Sequence, residues 1–199
     1  MGSSNSDEDI AKRYFYGEIG KSALVNKLDI KNQIELEEAE AYYVELAIAN
    51  GLSKQAQELS PDGLKQMHKE LFGEIYEWAG VYRTYGTGRG LPFCRPEFID
   101  HELKKLYQQL NNKLYHGMAK DEFIRVVAYF LGYLNAIHPF IDGNGRTQRQ
   151  SLLLICQQFD FTLKINQYLT QKYWYQSAEL SHQYGDDSGF EEILKNIID

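Results

Sequence analysis

Cysteine is nearly absent: Cys94 and Cys156 are the only two among 199 residues. Neither falls in a CxxC or Cys/His spacing, so a disulfide framework and a structural zinc site both lack their ligands, and a reducing compartment fits. Proline is equally scarce. Pro61, Pro92, Pro96 and Pro139 are the whole supply, each placed where a helix would start or the chain would turn. Long apolar runs are missing too. A stretch such as 152–156 is far short of the roughly 20 residues that a membrane-spanning helix needs. Residues 1–9 are polar and acidic, unlike the apolar centre of a signal peptide. Positive charge is outnumbered, 21 Lys and Arg against 28 Asp and Glu, for a formal charge of −7. An acidic surface argues against general binding to DNA, RNA or anionic membrane, since nothing offsets phosphate repulsion. Local basic clusters can still hold a small phosphate ligand.

What is present is enough apolar content, 43%, to build one domain with a real core. Residues 1–6 read as a flexible or vector-derived tail, and 7–199 as a single domain. The pattern of that domain is mostly helical. Residues 34–50 are rich in Glu, Ala and Leu and are followed by Gly51 as a stop. Ser60-Pro61-Asp62 starts another helix with a capping Ser and Pro at the first helical position. Behind it Leu64, Met67, His68, Leu71, Ile75 and Trp78 recur at steps of three and four. Further helices are expected over 96–112, 121–136, 146–159, 170–182 and 190–198. Residues 81–94 break the pattern, with Gly86, Gly88 and Gly90 among aromatic and β-branched residues, and read as a β-hairpin or flap. The fold class expected is all-α with one small hairpin.

The chemistry concentrates in His138-Pro139-Phe140-Ile141-Asp142-Gly143-Asn144-Gly145-Arg146-Thr147-Gln148-Arg149. Pro139 and Gly143 stop the preceding helix. Gly143-Asn144-Gly145 can reach positive φ, so that successive N–H groups point into one concavity. A helix starting at Arg146 would make that concavity an anion site. Arg146 and Arg149 share one face of its first turn, where cations oppose the helix dipole. Their presence there points to an anionic ligand, and two guanidinium forks suit a polyphosphate. Asp142 is a lone carboxylate able to hold Mg²⁺ together with phosphate oxygens. His138 can accept a proton near neutral pH. Taken singly, each of these residues also fits a turn, a solvated face or a structural histidine; their density within twelve positions favours a site.

This stretch matches the Fic-domain signature HPFx(D/E)GNGRxxR at every defined position. Asn26-Lys27-Leu28-Asp29-Ile30, Glu77-Trp78-Ala79-Gly80 with Arg83, and Pro92-Phe93-Cys94-Arg95 also resemble family segments. The resemblance covers roughly residues 14–199 and is similar to stand-alone bacterial Fic toxins and effector Fic domains. It implies a helical bundle with a hairpin flap, and a protein adenylyltransferase that moves AMP from ATP to a Tyr, Thr or Ser hydroxyl with release of pyrophosphate. By motif position His138 is then the general base and Asp142 the Mg²⁺ ligand. Gly143, Asn144, Gly145, Arg146 and Arg149 hold phosphates, Asn144 through its side chain as well, and Phe140 anchors the loop. Gly88, Arg89, Gly90 and Leu91 form the flap that pairs with an extended target segment. Arg89 replaces the usual Lys, and the flap is about one residue shorter than the family pattern. Related Doc kinases carry Lys where this chain has Gly145, so nucleotidyl transfer is favoured over phosphorylation. Many relatives carry an inhibitory (S/T)xxxE(G/N) helix, but no Glu here is followed by Gly or Asn. The resemblance therefore implies control by a separate small antitoxin, in a bacterial cytoplasm or, for an effector, in a host cell. Transfer of another nucleotide or of phosphocholine, and a non-catalytic nucleotide-binding module, are the alternatives. Tyr173, Trp174, Tyr175 and Gln176 either line the base pocket or pack in the core.

Overall fold

A computed structural model describes residues 6–164 and 166–199. Of the tail expected over 1–6, residues 1–5 lie outside the described residues, while Ser6 caps the first helix by accepting the Asp9 N–H. Eight α-helices follow in chain order among the described residues: α1 (Asp7–Ala11), α2 (Gln33–Asn50), α3 (Pro61–Phe72), α4 (Ile99–Lys113), α5 (Lys120–Ile137), α6 (Asn144–Gln158), α7 (Gln171–Tyr184) and α8 (Ser188–Ile197). The architecture is all-α. No helix among the described residues is long and apolar enough to cross a membrane.

The caps explain several boundaries. Asn32 accepts the N–H groups of Ile34 and Glu35 to start α2, and Gly51 ends it. Ser60 accepts the Gly63 N–H, with Pro61 at the first turn of α3. α3 ends at Phe72, so Ile75 and Trp78 do not continue its face as the spacing predicts. Gly73 follows, a poor helix residue, and the turn beyond it stacks Tyr76 on Trp78 (ring centroids 4.3 Å apart).

α5 is the axis of the core. It packs against α4, α6, α7 and α8, and Phe123, Ile124, Val127, Phe130, Leu131, Leu134 and Ile137 are all buried. Each such side chain contributes roughly 1.5–3 kcal/mol by leaving water. A second cluster joins α2 and α3 through Leu36, Val44, Met67, Leu71 and Phe72. α6 lies between the two, with Leu152 and Ile155 in the first cluster and Leu154 in the second. The α5–α6 junction therefore sits where both cores meet, and this is where the signature falls.

The hairpin expected over 81–94 is reduced to a ladder of two residues a side, β1 (Gly88–Arg89) against β2 (Leu91–Pro92). The reason is competition for main-chain partners. The Arg83 N–H donates to the Pro139 carbonyl (2.9 Å) and the Cys94 N–H to the Ala136 carbonyl (3.0 Å). Beyond the ladder and the Phe93–Thr87 bond next to it, the two arms hold the end of α5 and Pro139 rather than each other.

Candidate active site

The loop that leaves α5 is held from outside at almost every residue. His138 caps α5 in the left-handed region (φ 47°, ψ 63°), with its N–H still bonded to Leu134. That conformation costs a β-carbon residue about 1–2 kcal/mol, and the structure around it supplies restraint. Arg83, only 2% exposed, donates Nε to the His138 carbonyl (2.8 Å), Nη1 to Tyr85 (2.9 Å) and Nη2 to Ile137 (3.1 Å) and Cys94. The Asn144 carboxamide closes the loop on itself: its Oδ1 accepts the Phe140 N–H (3.0 Å) and its Nδ2 donates to the Phe140 carbonyl (2.9 Å). Phe140 stacks on His68 (3.8 Å). His68 Nδ1 accepts the Gly80 N–H (2.9 Å), so the proton sits on Nε2, which donates to the Asp142 carbonyl (3.0 Å). Burial keeps that ring neutral, with its pKa lowered to about 4.

Two sequence expectations change here. Helix α6 begins at Asn144 rather than Arg146, and only Gly143 of the Gly-Asn-Gly run has positive φ (78°). A β-carbon on Gly143 would lie 2.6 Å from two ring atoms of Phe72, so glycine is required for both reasons. The second change concerns Asn144. Its side chain is buried and engaged by Phe140, which leaves its main-chain N–H, not its carboxamide, to meet an anion.

His138, Asp142, Asn144, Gly145, Arg146 and Arg149 line one cleft of about 450 Å³, walled by Gln33, Glu37, Glu40 and Ala41 of α2 and by Gln171, Trp174, Tyr175 and Ala178 of α7. The size suits a small-molecule ligand. Of the hairpin residues, Arg89 reaches the cleft; Gly88, Gly90 and Leu91 do not line it, and neither does Gly143. Trp174 and Tyr175 face the cleft, whereas Tyr173 and Gln176 line a separate cavity of about 230 Å³ beside α8.

The two arginines differ. Arg146 is paired with the buried Glu40 of α2 (2.8 Å), lies 3.9 Å from Asp142 and rests over the Phe72 ring (4.7 Å). Glu40 also accepts the Tyr76 hydroxyl. Arg149 has no carboxylate within ion-pair distance among the described residues. Burial and the neighbouring Arg146 lower its pKa, and Trp174 lies under its guanidinium (5.7 Å). No side chain caps α6. The N–H groups of its first turn thus point their partial positive charge at the cleft beside an uncompensated cation, an arrangement that suits an anion.

His138 stacks face to face on Phe93 (3.9 Å, 4° between planes). Its Nδ1 is buried beside the Asn135 main chain, without a well-formed hydrogen bond, leaving Nε2 for the cleft. Burial first, then the charges of Arg83 and Arg89, lower its pKa to about 3. The ring is neutral at pH 7 and able to accept a proton. Asp142 is half-exposed at the start of α6, with Oδ1 accepting the Gly143 N–H (2.6 Å). No group of three metal-ligating side chains occurs among the described residues, so a cation here would share Asp142 with ligand oxygens and water.

The hairpin has one usable edge. The Phe93 N–H bonds the Thr87 carbonyl (2.9 Å), making that a hydrogen-bonded pair. Gly88 and Pro92, next in register, are then the non-bonded pair, whose polar groups point away from the partner strand. Pro92 has no N–H, so only Gly88 offers both a donor and an acceptor to an added strand. A β-carbon on Gly88 would also meet the Leu91 carbonyl at 2.6 Å.

The model of the Fic/DOC family matches residues 58–156. A probable protein adenylyltransferase of Sinorhizobium fredii is 34% identical over 153 residues, 72% of this chain and 76% of that protein. The chain belongs to the Fic/DOC family. Among solved structures the Fic chain resembles the BepC effector of Bartonella tribocorum with bound AMPPNP, at TM-score 0.83 and 26% identity over 96% of this chain and 98% of that one. It also resembles the N-terminal Fic domain of a putative cell filamentation protein from Bartonella quintana with bound ADP, at TM-score 0.82 and 28% identity over 96% of both chains. The matched stretch holds the signature and the hairpin, while the α2 and α7 walls of the cleft lie outside it. Glu40 and His68 border the Fic loop without a sequence signal pointing there, because they meet it across long chain separations, whereas Phe93 lies in the family-like segment 92–95.

Proposed function

We propose that this chain, over residues 7–199, is a protein adenylyltransferase that moves AMP from ATP to a hydroxyl of a target protein. One observation carries the reading: the uncapped α6 N-terminus and the uncompensated Arg149 share a cleft with a neutral histidine. The names of the relatives, and the nucleotides bound in the structural neighbours, support it. In this mechanism the main-chain N–H groups of Asn144, Gly145 and Arg146 hold phosphate oxygens. Arg149 and the free side of Arg146 take the β- and γ-phosphates. Asp142 would hold Mg²⁺, which would supply charge neutralisation to the phosphates. An extended target segment pairs with Gly88, while Arg89, Gly90 and Leu91 complete the flap. His138 Nε2 takes the hydroxyl proton as the hydroxyl oxygen bonds to the α-phosphorus, and the bond to the β-bridging oxygen breaks to release pyrophosphate. A ring with so low a pKa is a weak base in the empty cleft, and bound phosphate charge beside it raises its basicity. The absence of an (S/T)xxxE(G/N) segment from the given sequence favours a toxin held by a separate antitoxin, in the bacterial cytoplasm or inside a host cell after delivery.

The test is label transfer in lysate with Mg²⁺. α-Labelled ATP should mark protein bands, γ-labelled ATP should not, and His138→Ala should abolish marking while retaining nucleotide binding. Marking by γ-label would make the chain a kinase instead, and preference for another labelled nucleotide would change the donor.

A further inference from the structure

Helix α7 touches the hairpin at three points that the signature does not contain. His182 Nε2 lies 3.0 Å from the Leu91 carbonyl, and its ring packs on Phe93 (4.5 Å). Two turns earlier on the same face of the helix, Tyr175 lies under the Arg89 guanidinium (4.5 Å). The same helix is itself tied to the two helices that bear the motif. The Ala178 carbonyl accepts from Asn135 Nδ2 on α5 (2.9 Å), three residues before His138, and Trp174 Nε1 donates to Gln148 on α6 (3.1 Å). Phe93 in turn is stacked flat on the His138 ring, whose buried Nδ1 has only the Asn135 main chain near it and no well-formed hydrogen bond. The ring series His182–Phe93–His138 therefore holds the face of the imidazole, beside what the Asn135 main chain contributes at its edge.

We infer that His182 is a positioning residue that fixes the hairpin and, through Phe93, the imidazole of His138. The catalytic meaning of this rests on the adenylyltransferase reading; the tether itself does not. Hydrogen exchange and kinetics on His182→Ala and His182→Gln test it. Loss of the bond to Leu91 should speed exchange of the Phe93 amide about tenfold, the scale of one hydrogen bond. It should lower kcat/KM for the target protein by a similar factor, with nucleotide affinity unchanged. Gln keeps an N–H for the Leu91 carbonyl and should restore most of the protection. Wild-type exchange in His182→Ala would overturn the proposal. So would a parallel loss of nucleotide affinity, which would mean that α7 as a whole had loosened. Exchange needs no turnover, so absence of transfer in the wild-type protein would remove the functional reading and leave the tether measurable.

Discussion

Replacing Arg83 by Met should destabilise the protein by about 3–5 kcal/mol, the scale of breaking a buried charged network. The guanidinium is 2% exposed and has no carboxylate partner among the described residues. It donates to four carbonyls, those of Tyr85, Cys94, Ile137 and His138. Bonds from a charged donor are worth roughly 1.5–3 kcal/mol each, about 6–12 kcal/mol for four. Met no longer has to be desolvated as a cation, which returns several kcal/mol. For a chain of this size about 1 kcal/mol shifts the melting temperature by about 2–4 °C. Thermal unfolding should therefore drop by roughly 6–20 °C. Lys should recover little, because a single ammonium cannot span four carbonyls spread over two segments. In the cold, where the variant stays folded, transfer should still fall, since the His138 carbonyl loses the donor that holds its left-handed backbone. A melting temperature within about 3 °C of wild type would refute the reasoning.

Further outcomes follow from the same loop. Gly143→Ala should cost about 2–4 kcal/mol, combining positive-φ strain with displacement of the Phe72 ring, and a melt at the wild-type temperature would contradict it. Asn144→Asp removes the donor to the Phe140 carbonyl and places a carboxylate oxygen against it; nucleotide affinity measured by calorimetry should fall at least about tenfold as negative charge enters the cleft. His68 and His138 both have folded pKa values below the usual 6.5, at about 4 and about 3. The unfolded chain then binds more protons between those values and 6.5, so their contribution to stability is complete above about pH 7 and is lost as the pH falls through that window. Near pH 5 the two rings should add roughly 2.5 kcal/mol per pH unit to the slope of unfolding free energy. Their NMR ring signals should stay constant from pH 7.5 to 5, and a midpoint near 6.5 in either would refute the assignment.

Local signals made much of this molecule legible. Ser60-Pro61 and Gly51 mark helix ends because capping chemistry is decided within four residues. The signature was legible because its residues are consecutive, and His138, Asp142, Arg146 and Arg149 do meet in one cleft. The rest depended on partners distant in sequence. Residues 81–94 alternate like a hairpin, yet their main-chain groups bond to α5 and to Pro139. The Asn144 side chain reads as a phosphate ligand until its carboxamide is found closing on Phe140. Glu40 is one of several glutamates along α2, and only its position opposite Arg146 and Tyr76 distinguishes it. Arg83 stands in a family-like segment, but nothing local reveals the four carbonyls that converge on it.

Pro92 has a consequence for self-association. An exposed hairpin is a template on which copies of a protein can stack edge to edge. Here the strand that carries Pro92 has no donor to give at that position, and the opposite strand offers a single residue, Gly88. A strand docked at Gly88 would end the sheet, because the far side cannot accept another in register. The hairpin can thus stay exposed without seeding a fibre.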